Sequence, residues 1–252
     1  MENKILNFVA MSPQMVKIQD KEHWLSLFST KATIQDPIGS KIYKYQELSH
    51  FWDAFIANND ISFQVLLDLV DKSSLAPNKE VVRDVLIHTK LAGTQLQISV
   101  PAHLFYVVQE EEEKLSILSM QAHWDLSKMV WQFLKQKGSL LAITKFTWKI
   151  FKNVGPSGIA GFTKALFWGI KQKGEKIVHQ VATASPPQAR GHFAKSAILN
   201  FSLEELASFK IINTRSAGYF TTFSFEKHGQ RGVGQMRFCP FTHKIVEAKI
   251  YN

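Results

Sequence analysis

The sequence predicts an α+β fold on three observations. Apolar residues recur at helical spacing within the first sixty positions, long stretches of alternating polarity fill about 81–124, and a helix followed by alternating strands returns after residue 196. At 252 residues the chain can form one large domain or two small ones, either with a proper core.

Trp24, Leu25, Leu27 and Phe28 give the first helix its apolar face. A strand and turn follow over 32–40, then a second helix over 46–56 on Leu48, Phe51, Trp52 and Phe55. Three strands are expected at 81–89, 95–108 and 114–124, the last two joined by an acidic hairpin at 110–113 that belongs in water. The longest uncharged run, 91–109, is long enough to suggest a membrane span. Yet Gln95, Gln97, Ser99, Pro101 and His103 alternate with Leu96, Ile98, Val100, Ala102 and Leu104. Period two means a strand with two different faces.

Residues 127–182 read as helices broken by glycine and proline. Met129, Val130, Phe133 and Leu134 open one, and Lys145, Lys149 and Lys152 share a face of the next. Gly155-Pro156-Ser157-Gly158 interrupts before a helix with Phe162, Leu166, Phe167 and Ile170. Residues 183–195, with Ser185-Pro186-Pro187, read as a linker. In 196–252 a short strand, a helix with a Ser202–Glu205 capping box and a meander over 219–226, 232–239 and 245–251 are expected. The domains are then 1–126, the helical segment 127–182, and 196–252, whose helix-then-meander order suggests a degenerate second copy of the first.

Composition excludes several function classes. One cysteine, Cys239, rules out an internal disulfide and a multi-cysteine metal site. No His/Asp/Glu cluster has metal-ligand spacing, and neither a Gly-rich phosphate loop nor a Ser or Cys nucleophile motif occurs, so no metal and no cofactor are expected. The N-terminus lacks the pattern of a signal peptide, and a cytoplasmic protein is expected.

The net charge of +9 is uneven: 128–176 holds ten lysines against Glu175 alone, and the rest of the chain sums to zero. Solvated surface helices would explain this. So would an anionic membrane surface docked by 128–176, where Trp131, Trp148, Phe151, Phe162, Phe167 and Trp168 lie beside lysines. Nucleic acid is disfavoured, because arginines that fork phosphates are scarce there.

Two stretches carry a family resemblance. Trp24-Leu-Ser-Leu-Phe-Ser-Thr-Lys-Ala-Thr-Ile-Gln-Asp36-Pro37-Ile38-Gly39, followed by Phe51-Trp52, and the later Met120-Gln121-Ala122-His123-Trp124 resemble the ketosteroid isomerases of the NTF2-like (SnoaL-like) superfamily over half the chain. The run His123-Trp124-Asp125-Leu126 into a basic helical tail is similar to two-part proteins of that family. The resemblance implies a cone, a bent sheet closed by helices around an apolar interior. In the enzymes an aspartate moves a proton between two carbons while a tyrosine and a protonated acid hold the enolate oxygen, a long-established example of tuned acidity. Carried over, Asp36 takes the base position and Met120 and Trp124 match apolar pocket-lining positions; Trp24, Phe28, Trp52 and Phe55 are expected to complete the ligand-binding wall.

The donors depart from the family. The tyrosine position falls on Ser12 and the acid position near His103, with no tyrosine before Tyr43 and no acid between Ala92 and Gln109. Losing one such donor costs roughly a hundredfold in rate, so steroid isomerisation by that mechanism is disfavoured, and His103 is the candidate replacement. The leading expectation is a binding protein for a small lipophilic molecule, with at most proton transfer at Asp36. The alternative is a non-catalytic scaffold, its cone filled by its own side chains and its basic helices docked to a membrane or an acidic partner. A homodimer is compatible with both.

Overall fold

The structure, a computed structural model, describes residues 2–71, 78–112 and 114–252, without the side chains of 139–141. Glu113, expected in the acidic hairpin, lies outside the described residues. The chain divides into two units, Met1–Leu166 and Phe167–Asn252.

The first unit opens with α1 (Glu2–Ile18), whose buried Ile5, Val9, Ser12 and Val16 recur along one face. Next comes α2 (Lys21–Ser26), capped by the Asp20 carboxylate accepting from the His23 amide. Then follow β1 (Phe28–Gln35), β2 (Ile42–Lys44) and α3 (Leu48–Phe51), which loosens into a π turn over Trp52–Ile56. The long strands are β3 (Asp60–Val70), β4 (Asn78–Lys90), β5 (Gln97–Glu111) and β6 (Lys114–His123), followed by α4 (Leu126–Leu134) and α5 (Ser139–Phe167).

The sheet order is β2-β1-β6-β5-β4-β3, with β1 parallel to β6 and every other pair antiparallel. Register breaks at Val65/Leu67 and Val107/Val108 mark irregularities of the kind that bend strands. The first of these hides β3 from sequence reading, because an extra residue destroys the period-two alternation. Val85, Ala102, Leu104, Tyr106 and Met120 join the core of this unit, together with residues of α1, α3 and α5. Inside α5 the helix kinks at Gly155, at φ 67°. Pro156 pushes the residue before it out of helical geometry, and glycine accepts the left-handed alternative.

The second unit contains α6 (Lys171–Thr183), α7 (Pro186–Arg190), β7 (Phe193–Leu199), α8 (Leu203–Leu206), β8 (Lys210–Ala217), β9 (Phe220–Lys227), β10 (Gln230–Phe238) and β11 (Ile245–Tyr251). Its sheet order is β7-β11-β10-β9-β8, with β7 parallel to β11. That matches β1-β6-β5-β4-β3 strand for strand. The expected linker at 183–195 is corrected: Ser185 and Gln188 form a capping box over prolines at the first turn, so the Ser-Pro-Pro run starts α7, and β7 begins at Phe193. This unit fills its own interior. Phe223 and Phe225 lie opposite Gly234 and Gly232, where a Cβ would come within 2.1 and 2.4 Å of the rings. Phe209 stacks on Phe225 at 4.1 Å.

Among the described residues no helix is long and apolar enough to cross a membrane, and no group of three or more His, Cys, Asp or Glu could hold a metal ion.

Candidate functional site

The first unit encloses a cavity of about 170 Å³. Its walls come from α1 (Ser12, Val16), the β3–β6 face (Phe63, Leu104, Tyr106, Met120), the end of β1 (Asp36) and the helices across its mouth: Met129 and Phe133 of α4, Phe146 and Phe162 of α5.

Asp36 reaches the cavity because β1 runs parallel to β6, pairing Ile34 with Met120 and Gln35 with Gln121. The Ile38 amide then donates to the Ala122 carbonyl at 2.9 Å. The chain past β1 is thus held against the end of β6, where Trp124 follows. Trp124 Nε1 donates to Asp36 Oδ1 at 2.6 Å. The residue keeps some exposure, but it lines the apolar cavity, and removal from water raises its carboxyl pKa to about 6. The Trp124 hydrogen bond pulls the other way and only partly offsets this.

Deeper in, Tyr106 is fully buried and its hydroxyl is hydrogen-bonded to Ser12. The Ser12 Oγ also accepts from Trp24 Nε1 at 3.1 Å. Burial, followed by the charges of Asp36 and Asp68, holds the Tyr106 phenol above its ordinary pKa against the opposing pull of Arg83 and Ser12. It is a neutral donor. Behind it the buried Arg83 forks onto Asp68, Nε to Oδ1 at 2.7 Å and Nη2 to Oδ2 at 3.0 Å. Tyr43, also buried, has a hydroxyl without a hydrogen-bond partner among the described residues, its pKa raised by burial and then by the charge of Asp36.

The expected site residues fall into three groups. Asp36, Trp24, Phe55, Met120 and Trp124 line the cavity. Phe28 and Trp52 do not: they pack on Trp24, at centroid distances of 4.6 and 5.3 Å, and support the wall from outside it. His103 must be corrected outright. Ala102 and Leu104 belong to the inner core, so the residue between them points from the other face of the sheet. There His103 is fully buried with Nε2 3.6 Å from Asp84 Oδ1, and it cannot donate into the cavity.

Sequence reasoning missed Tyr106 and Ser12 as polar wall groups. Tyr106 shares its parity with Ala102 and Leu104 and lies directly across from Met120. Strand alternation therefore contained the signal. Ser12 was reached only as the family's tyrosine position, and its link to Tyr106, 94 positions away in the chain, left no local signal.

No family model matches the chain, and no curated protein matches it. Solved structures do. The chain is similar, over about half its length, to ketosteroid isomerases. The Δ5-3-ketosteroid isomerase of Mycobacterium sp. is 19% identical, with 48% of this chain and 92% of that one covered and a TM-score of 0.41. A Mycobacterium tuberculosis protein crystallised with estradiol-17β-hemisuccinate is 22% identical over 48% of this chain and 93% of its own, at a TM-score of 0.39. A computationally designed 17-OHP binder is 19% identical over 48% and 92%, at 0.40.

Proposed function

We propose that the first unit binds a small lipophilic molecule in its cavity and that Asp36 takes a proton from a carbon of that molecule. The observation that carries this reading is a carboxylate with a pKa near 6 on the wall of an apolar cavity of about 170 Å³. Cavities of about 150 Å³ lined by apolar side chains stay dry and admit benzene, so this volume suits a ring or two. A four-ring steroid would need more room.

Above pH 6 Asp36 is ionised. Oδ1 is engaged by Trp124, leaving Oδ2 as the basic atom. The C–H bond beside a carbonyl breaks, its proton goes to Oδ2, and its electrons pass to the carbonyl oxygen, which the neutral Tyr106 hydroxyl stabilises. The electrons then return from the oxygen and the same carbon takes the proton back, or, where a double bond is conjugated with the carbonyl, the far carbon of that system takes it and the double bond shifts.

The test uses 2-tetralone, a two-ring ketone, in tryptophan fluorescence titration and deuterium-exchange NMR. Quenching of Trp24 and Trp124 is expected, with exchange beside the carbonyl rising through about pH 6. Asp36→Asn should bind and not exchange, and Trp124→Ala should bind poorly. An unchanged emission spectrum across one- and two-ring ketones would remove the proposal.

Exposed aromatics favour a second reading, attachment to an anionic membrane. Met129 and Phe133 face the cavity, while Trp131 is 64% exposed beside Lys128 and Lys135. On α5, Trp148 is 60% exposed and stacks on Phe151 at 5.6 Å, with Lys145 and Lys152 exposed next to them. Each lysine near such a surface contributes about 1 kcal/mol. Co-sedimentation with phosphatidylserine vesicles should fall as salt rises and weaken in Trp131→Ala/Trp148→Ala; no association at low salt would end this reading.

A further inference from the structure

We propose that the second unit carries a binding site for a phosphomonoester group, in a cavity between α6, the start of β7 and the β10–β11 turn. The cavity measures about 360 Å³ and is lined by Lys173, Lys176, Lys244, His192, His243 and Thr242, together with Ile177 and Gln180. Three lysines and two imidazoles converge on it, and no carboxylate lines it. Across 167–252 there are twelve lysines and arginines against five glutamates and no aspartate.

The backbone fixes this convergence. Lys173, Lys176, Ile177 and Gln180 share one face of α6 at spacings of three, four and seven. The Ile245 amide donates to the His192 carbonyl at 2.9 Å, joining the start of β11 to the segment before β7. The turn closes through Cys239 N to Lys244 O and His243 N to Cys239 O, both 2.9 Å, with His243 in the left-handed region at φ 55°. A non-glycine residue held there is uncommon and needs support from its surroundings.

The polar partners leave the charge uncompensated. Lys173 Nζ donates to His243 Nδ1 at 2.8 Å. That ring therefore carries its proton on Nε2, which remains a donor. Lys244 Nζ is held by the Gly191 carbonyl, a neutral acceptor. The Thr242 hydroxyl accepts from the Lys244 amide at 3.3 Å and is hydrogen-bonded to the Cys239 side chain, which fixes it in the turn. No ion pair engages Lys173, Lys176 or Lys244 among the described residues. Gathered like charges repel, and a compact dianion with three acceptor oxygens relieves the repulsion while satisfying several donors at once. Lysines act as point charges toward phosphate, where a planar carboxylate would favour an arginine fork. The volume exceeds that of a phosphate group, so the ligand is a phosphate ester. Phe241, 93% exposed beside Thr242, would suit a lipid-borne ester as readily as a soluble one.

The experiment titrates the full chain with glycerol 3-phosphate by calorimetry and with phosphatidylcholine vesicles, with and without phosphatidic acid, by sedimentation. At least one phosphomonoester should bind. Lys173→Gln/Lys176→Gln should weaken it about tenfold or more without lowering the melting temperature. The control is Lys195→Gln/Lys210→Gln, which removes the same charge at exposed sites of the same unit and should bind as the parent does. Binding to phosphatidic acid vesicles that glycerol 3-phosphate does not compete away assigns the ester to a lipid; effective competition assigns it to a soluble molecule. Equal losses in the two double variants, or no binding to either probe, would overturn the proposal.

Discussion

Asp36 gains its acidity from position more than from partners. The hydrogen bond from Trp124 favours the charged form, and desolvation disfavours it more. Because the folded pKa lies above the ordinary 3.8, the folded state holds the proton more tightly. The contribution to stability is then complete below about pH 4 and is lost as pH rises to about 6. A rise of two units corresponds to at most ~2.7 kcal/mol, and partial exposure reduces that to about 1 kcal/mol. Asp36→Asn should therefore be about 1 kcal/mol more stable than the parent at pH 7 and equal to it near pH 4, as read by urea denaturation. Equal stability at both pH values would show that the carboxylate is solvated. Tyr106→Phe probes the other side of the chemistry. It keeps the ring and removes the donor, so carbon exchange should slow by roughly a hundredfold while the affinity for 2-tetralone changes little. If affinity and exchange drop together, the hydroxyl shapes the cavity and does not stabilise charge.

β5 shows at the scale of an element what the sequence exposes and what it hides. Its alternation was legible, and so was the polar face holding Ser99 and His103. Which face turns inward depends on what packs there, and that is settled by β6 and α1, distant in the chain. Tyr106 and Met120 meet only through the β5–β6 register, and His103 lost its expected role by standing one residue out of phase. Asp36 and Trp124 were readable from local motifs, whereas the Ser12–Tyr106 link was not, since long-range hydrogen bonds leave no periodic trace. The outer face of the same strands has its own consequence. His123 is fully buried near His103, and desolvation, aided by that neighbour, lowers its pKa to about 3 from 6.5. It stays neutral when folded and takes up a proton when unfolded. Its contribution is present above pH 6.5 and lost as pH falls toward 3. This shift is larger than the opposing one at Asp36, so acid should weaken the protein overall. Urea midpoints at pH 4.5 should lie well below those at pH 7, and His123→Phe should narrow the gap. A gap of unchanged size in that variant would place the acid sensitivity elsewhere.

The two units of the molecule share a strand order and differ in what fills them. In the first, β4 and β5 run to 13 and 15 residues and the interior keeps a cavity; in the second, β9 and β10 have 8 and 9 residues. Phe223 and Phe225 occupy the space there, and Gly232 and Gly234 are the condition for it. A methyl group at Gly234 would sit 2.1 Å from the Phe223 ring, a fully buried side chain with no room to swing away. Overpacking of this kind costs about 1–3 kcal/mol. Gly234→Ala should lower the thermal transition of the second unit and abolish or weaken binding of the phosphomonoester. Binding of 2-tetralone in the first unit should persist at temperatures below that transition. Calorimetric scans combined with both titrations separate the outcomes. Loss of both ligands together would mean that the units fold as one cooperative body. An unaltered scan would mean that β9 and β10 have slack which the close approach of Gly234 to Phe223 denies.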